Sequence, residues 1–161
     1  MPMKNSDSFA LTEVLVALLV LGIGLLGMAG LQGGSVRANH TAQLRSLATQ
    51  QVQDMADRIR ANPEGVTAGV YDAINIPPSS TLTNPGACTS SCAPAAMAAW
   101  DTFDWGTANQ QLLGATVGAS VTAVIAAGGG SRLFLISLNW QERQEGATAS
   151  APQTFAMAFR P

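Results

Sequence analysis

The chain has 161 residues, a net charge of −2 and a pI near 5.1, and only 11% of its residues are charged. That balance argues against a nucleic-acid binder, which carries a basic patch or stripe. A hydrophobic share of 47% argues equally against a disordered chain, and the length suits one small domain plus a long N-terminal element.

Residues Met1 to Ser8 are short and polar, with Lys4 and Asp7. Phe9 to Leu31 then reads FALTEVLVALLVLGIGLLGMAGL, apolar throughout except for Thr12 and Glu13. The run exceeds the h-region of a secretory signal peptide, and Met28-Ala29-Gly30 is a poor site for ordinary signal peptidase. Its length is enough to span a bilayer as a helix, so an uncleaved transmembrane helix with its N-terminus inside is the default reading. Glu13 stands out, because a carboxylate in such a run costs about 2.5–3.5 kcal/mol on insertion scales and is usually kept for a function.

The helical pattern continues past the glycines at 33 and 34. Leu44, Ala48, Val52, Met55 and Ile59 form one stripe at helical spacing, opposite Gln43, Arg45, Gln50, Asp54, Asp57 and Arg58. Asn62-Pro63 ends the pattern, since the residue before proline is pushed out of helical geometry. Phe9 to Ala61 is therefore expected as one helix or two collinear halves, roughly 80 Å long at the α-helical rise. The first half is apolar all round and the second has a single apolar face. The glycines at 22, 24, 27, 30, 33 and 34 suit either close helix packing in a membrane or a stretch that unwinds.

Residues 62–92 read as a loop rich in Pro, Gly, Ser and Thr, with Tyr71 and Ile74 to Ile76 as anchors. Ala93 to Leu113 is expected as a short helix with Pro94 in its first turn. Asp101 and Asp104 lie on adjacent turns, but without a histidine or other catalytic partner they read as a solvated face. Trp100 and Trp105 read as packing residues. Thr116 to Ile125, Arg132 to Trp140 and Thr154 to Arg160 alternate as strands, separated by a Gly128-Gly129-Gly130-Ser131 turn and a polar loop at 141–152. The glycine turn precedes a strand rather than a helix, so it is not a phosphate loop. The fold class is α+β: a long N-terminal helix on a small antiparallel sheet of about three strands, with one short extra helix. The Leu44 to Ile59 stripe is the natural cover for the sheet's apolar face.

Cys88 and Cys92 are the two cysteines, and with one histidine in the chain a zinc site lacks ligands. An exported head favours a structural Cys88–Cys92 disulfide, with free or redox-active thiols as the alternative; the CxxxC spacing is not that of a thioredoxin motif.

The run FALTEVLVALLVLGIGLLGMAGLQ resembles the N-terminus of type IV pilins and of type II secretion pseudopilins. Together with CTSSC, AAWDTFDW and SLNWQER, it is most similar to the minor pilins of the type IV pilus. The resemblance implies a prepilin peptidase cut between Ser8 and Phe9 on the cytoplasmic side; Ser8 stands where the family carries glycine. Phe9 then becomes the N-methylated terminus, and Glu13 matches the family's motif glutamate. It implies a leader at 1–8, a transmembrane and filament-core half-helix at 9–34, an amphipathic half-helix at 35–61 and a periplasmic head at 62–161. The protein would sit in the inner membrane and then in the filament. Its partners would be other minor pilins, the major pilin, the peptidase, the inner-membrane assembly platform and a tip adhesin. No enzyme activity, cofactor, metal or nucleic acid is implied.

Glu13 then acquires a partner. A cut before Phe9 creates an ammonium at the start of an apolar helix, and a carboxylate one turn on neutralises it, in the same subunit or in a neighbour. Leaving such a charge unpaired costs roughly 3–5 kcal/mol, which makes the pair a register rule for stacking subunits. Three rivals stand beside this reading. A minor pseudopilin of a type II secretion system shares the N-terminal chemistry; an unprocessed single-span anchor or enzyme lacks the cut; a DNA-uptake pilin needs a basic stripe.

Overall fold

The computed structural model describes residues 7–86, 88, 91–124, 132–143 and 150–161. In chain order the elements are α1 (Asp7–Ala61), α2 (Pro63–Ala68), β1 (Ala73–Ile76), α3 (Pro94–Leu113), β2 (Gly118–Val124), β3 (Leu133–Arg143) and β4 (Ser150–Phe159). The chain divides into two compact units, with the boundary between Ala42 and Gln43 inside α1.

The first unit is helical from Asp7 onward and continues through all six glycines without a break. Each glycine removes up to about 1 kcal/mol of helix propensity. In an apolar surrounding every backbone group must be paired internally, and the helix does that within one segment. Its most apolar 18-residue window has a mean hydropathy of 2.6 and none of it is buried, so the helix is long and apolar enough to cross a membrane. A Cβ added at any of these glycines would meet nothing within 4 Å.

The second unit is an α+β domain. Ala48, Val52, Met55 and Ile59 of α1 are fully buried and Leu44 is partly buried, which is the face the spacing predicts. That face shares one core with Ala98, Trp105 and Leu113 of α3 and with the inner side of a four-stranded antiparallel sheet of order β1-β2-β3-β4. The inner rows are registered as Ile74, Val121, Ile136 and Met157, and as Ile76, Ala119, Leu138 and Phe155. Trp105 ties α3 to α1 by donating its indole N–H to the Gln51 carbonyl at 2.8 Å. Gly106 is required by this packing: a Cβ there would fall 2.6 Å from Leu82 Cδ1 and 2.7 Å from Ile76 Cδ1.

Three features depart from the sequence reading. The sheet has four strands rather than about three, because residues 73–76 pair with β2 and turn Ile74 and Ile76 inward. Four residues before Pro77-Pro78 are too few for alternation to declare itself. The segment after α1 also forms α2, so two helices rather than one follow α1, while α3 spans Pro94–Leu113 as expected. Asn62 Oδ1 caps α2 by accepting from the Gly65 N–H at 3.0 Å, Pro63 takes its first position, and Gly69 ends it at φ 75°. Finally, β3 extends to Arg143 and β4 begins at Ser150, so residues 141–143 and 150–152, expected in the polar loop, lie in strands. The turn expected at Gly128 to Ser131, the strand end expected at Ile125, the loop expected at 144–149 and residues 1–6 of the expected leader lie outside the described residues.

Residues 79–82 of the 62–92 segment are fastened to α3 and its end. Gln110 donates to the Ser80 carbonyl at 2.8 Å, the Ser79 N–H reaches the Ala115 carbonyl at 3.0 Å, and Leu82 packs on the core.

Candidate functional site

Two places carry polar chemistry worth building from the residues up. The first is the start of α1. Ser8, Phe9 and Glu13 lie on one continuous helix, with the side chains of Ser8 and Phe9 outside the described residues. Glu13 is exposed and among the described residues has no ion-pair partner. Its neighbours Leu11, Val14, Leu15 and Val16 are all more than half exposed. A carboxylate in such a setting can accept a cation brought from outside the chain, and a negative group near a helix N-terminus is favourable.

The second is a charged cluster inside the head that the sequence reading passed over. Arg58 of α1 donates from Nε to Asp54 at 2.8 Å and from Nη2 to Asp104 at 2.6 Å, with Nη1 3.5 Å from Asp101. Tyr71 donates its hydroxyl to the other oxygen of Asp101 at 2.6 Å. Asn62 Nδ2 reaches the Tyr71 hydroxyl at 3.1 Å and the Pro94 carbonyl at 2.9 Å. Asp101 is therefore not on a solvated face: it is buried, and together with the half-exposed Asp104 it clasps α3 to α1. The i to i+4 spacing of Asp54 and Arg58 was visible in the sequence, but a partner 43 residues away leaves no local signal.

The electrostatics fit a structural clasp. Burial alone would lower the Arg58 pKa, but the hydrogen bonds and charges of Asp54 and Asp104 outweigh it and hold the guanidinium above its usual value. Burial, reinforced by the bond to Asp101, pushes the Tyr71 hydroxyl well above the ordinary tyrosine range. Both groups thus keep their protons, and neither is poised as a general base. Among the described residues no group of His, Cys, Asp and Glu could hold a metal ion.

Cys88 and Cys92 are joined in a disulfide with Cα atoms 5.9 Å apart, just before the first turn of α3. On the loop-closure relation so short a ring contributes only about 2 kcal/mol, so its main effect is to fix the entry to the helix. Trp105 is fully buried, whereas Trp100 is half-buried and packs on Phe103 with ring centroids 5.7 Å apart.

No characterised protein and no solved structure matches the chain. A family model described as Tt1218-like, type IV pilin Tt1218, matches residues 30–103, a stretch that begins in the apolar half of α1 and ends within α3. Over that stretch, which includes Arg58, Asn62, Tyr71 and Asp101, the chain is similar to a type IV pilin.

Proposed function

We propose that this chain is a structural subunit of a type IV pilus, a minor pilin of the PilV kind, also called the type IV pilus modification protein. The observation that carries the reading is α1: an exposed, membrane-grade half containing one acid, Glu13, joined without a break to a half whose apolar face holds an α+β head. The pilin match over residues 30–103 supports it. In this reading prepilin peptidase removes residues 1–8, and Phe9 becomes an N-methylated terminus. The new ammonium pairs with Glu13 of its own or a neighbouring subunit. Residues 9–34 move from the inner membrane into the filament core, and the head, held in the periplasm, meets other minor pilins, the major pilin, the assembly platform and a tip adhesin.

Mass spectrometry of the N-terminus tests the cut and the modification together. The expected terminus is methylated Phe9, and purified filament protein that still begins at Met1 refutes the reading. Glu13→Ala is expected to leave the protein folded and membrane-inserted but poorly incorporated; normal incorporation would mean that the charge pair does not set register. A deletion strain separates the alternative, a type II secretion pseudopilin: loss of pili favours the pilin and loss of secretion favours the pseudopilin.

A further inference from the structure

The two halves of α3 are held differently. Up to Trp105 the helix is clasped: Asp101 and Asp104 meet Arg58, Tyr71 donates to Asp101, the Pro94 carbonyl accepts from Asn62, and the Trp105 indole N–H reaches the Gln51 carbonyl. The Cys88–Cys92 disulfide lies just before its first turn. Beyond Trp105 this fastening stops. Among the described residues, the one hydrogen bond that 106–113 make outside the helix runs from Gln110 to the Ser80 carbonyl.

The second half nevertheless buries a polar side chain. Asn109 is fully buried one turn beyond Trp105, and neither its Nδ2 nor its Oδ1 has a hydrogen-bond partner among the described residues. The two helices run antiparallel, since Arg58 meets Asp101 and Gln51 meets Trp105. The turn that carries Asn109 therefore lies along α1 on the N-terminal side of Gln51. Helical side chains lean toward the N-terminus of their own helix, so Gln51 leans to that same stretch. Its buried Oε1 also lacks a partner, as does Ser80 Oγ in the segment that Gln110 holds. Buried polar atoms in native structures are nearly always paired, and one left unpaired carries its full desolvation cost. Gly106 adds a weak point between the halves: the packing requires it, yet in a helix interior glycine has the lowest propensity after proline.

We propose that residues 106–113, with segment 79–82 attached, form a flap that opens from the head about Gly106 while 94–105 stay clasped. Opening brings the Asn109 amide, Gln51 Oε1 and Ser80 Oγ to water. That removes their desolvation cost and lowers the free energy of the open state relative to the closed one. It also brings out Leu113, which the closed head buries. Native proteins open in such local units, each with its own free energy below that of global unfolding. The flap does not rest on the pilin reading.

Hydrogen exchange of the full chain in detergent, read by mass spectrometry, tests the flap. Backbone amides of 106–113 are expected to exchange faster than those of 98–105. Gln51→Met removes an unpaired atom from the facing wall of α1, keeps the backbone carbonyl that Trp105 uses, and leaves the helix propensity of α3 untouched. It should slow exchange of 106–113 about tenfold. Tyr71→Phe loosens the clasp, which stays closed when the flap opens. It should speed exchange of 98–105 about tenfold or more and leave 106–113 unchanged. Equal exchange in the two halves of the wild-type helix overturns the proposal. So does a Tyr71→Phe effect shared by both halves, because α3 then opens as one piece, and so does exchange of 106–113 that Gln51→Met does not slow.

Discussion

Residues 11–31 and 43–61 belong to the same helix and solve opposite problems. In the first stretch Leu26 and Leu31 are 75% and 78% exposed, and apolar side chains point in every direction. In the second, Val52, Met55 and Ile59 are fully buried while Asp57 and Arg60 face outward and pair with each other at 2.8 Å. Backbone geometry does not distinguish the two; what differs is the surrounding each side-chain pattern demands. One stripe needs one partner surface, which the head's own sheet supplies. Apolar residues all round need an apolar solvent or a bundle of other helices, and among the described residues none covers them.

The largest effects should separate the two stretches. All three tryptophans lie in the head, so their fluorescence during denaturation of the full chain in detergent reports that unit alone. Met55→Ala, which opens a cavity in a fully buried position, should cost about 2–5 kcal/mol. Leu19→Ala, at a position 63% exposed, should leave the same transition unmoved. An equal loss from both would erase the distinction.

A middle-sized effect tests the clasp that holds the buried half. Tyr71→Phe removes a hydrogen bond to an ionised group and leaves Asp101 short of a donor, at a cost of about 1.5–3 kcal/mol. Because the folded hydroxyl holds its proton above the ordinary tyrosine value, its contribution is complete below about pH 10 and is lost as pH rises through the folded value. Stability should therefore fall on the alkaline side, and Tyr71→Phe should flatten that fall. Tyr71 is the sole tyrosine, so its ultraviolet titration can be read directly.

The smallest effect concerns the exposed half. Gly27→Ala meets nothing within 4 Å and should raise helix propensity by up to about 1 kcal/mol without moving the tryptophan transition. Filament incorporation of this variant tests whether the glycine is used in assembly: a loss supports a role in close packing or unwinding, and unchanged incorporation excludes both at this position.

The parts of the fold that could be read from sequence are those with enough repeats of one period. The Leu44 to Ile59 stripe and the inward set Phe134, Ile136, Leu138 and Trp140 each show several turns or pleats of a pattern, and each is buried as expected except for the partly buried Leu44. What escaped was short or distant. β1 and α2 have four and six residues, and the clasp joins Arg58 to acids 43 and 46 positions on. The N-terminal candidates were legible for another reason: a lone acid in an apolar run is conspicuous without any tertiary structure.

Asn62 ends α1, caps α2, and its Nδ2 bonds both Tyr71 and the first turn of α3. Four segments thus meet on one buried side-chain amide, and asparagine is a residue that proteins lose with age. Spontaneous deamidation begins when the backbone nitrogen of the next residue attacks the amide carbon to close a succinimide. Here the next residue is Pro63, whose nitrogen carries no hydrogen. The proline that stops the helix also closes the succinimide route at this joint.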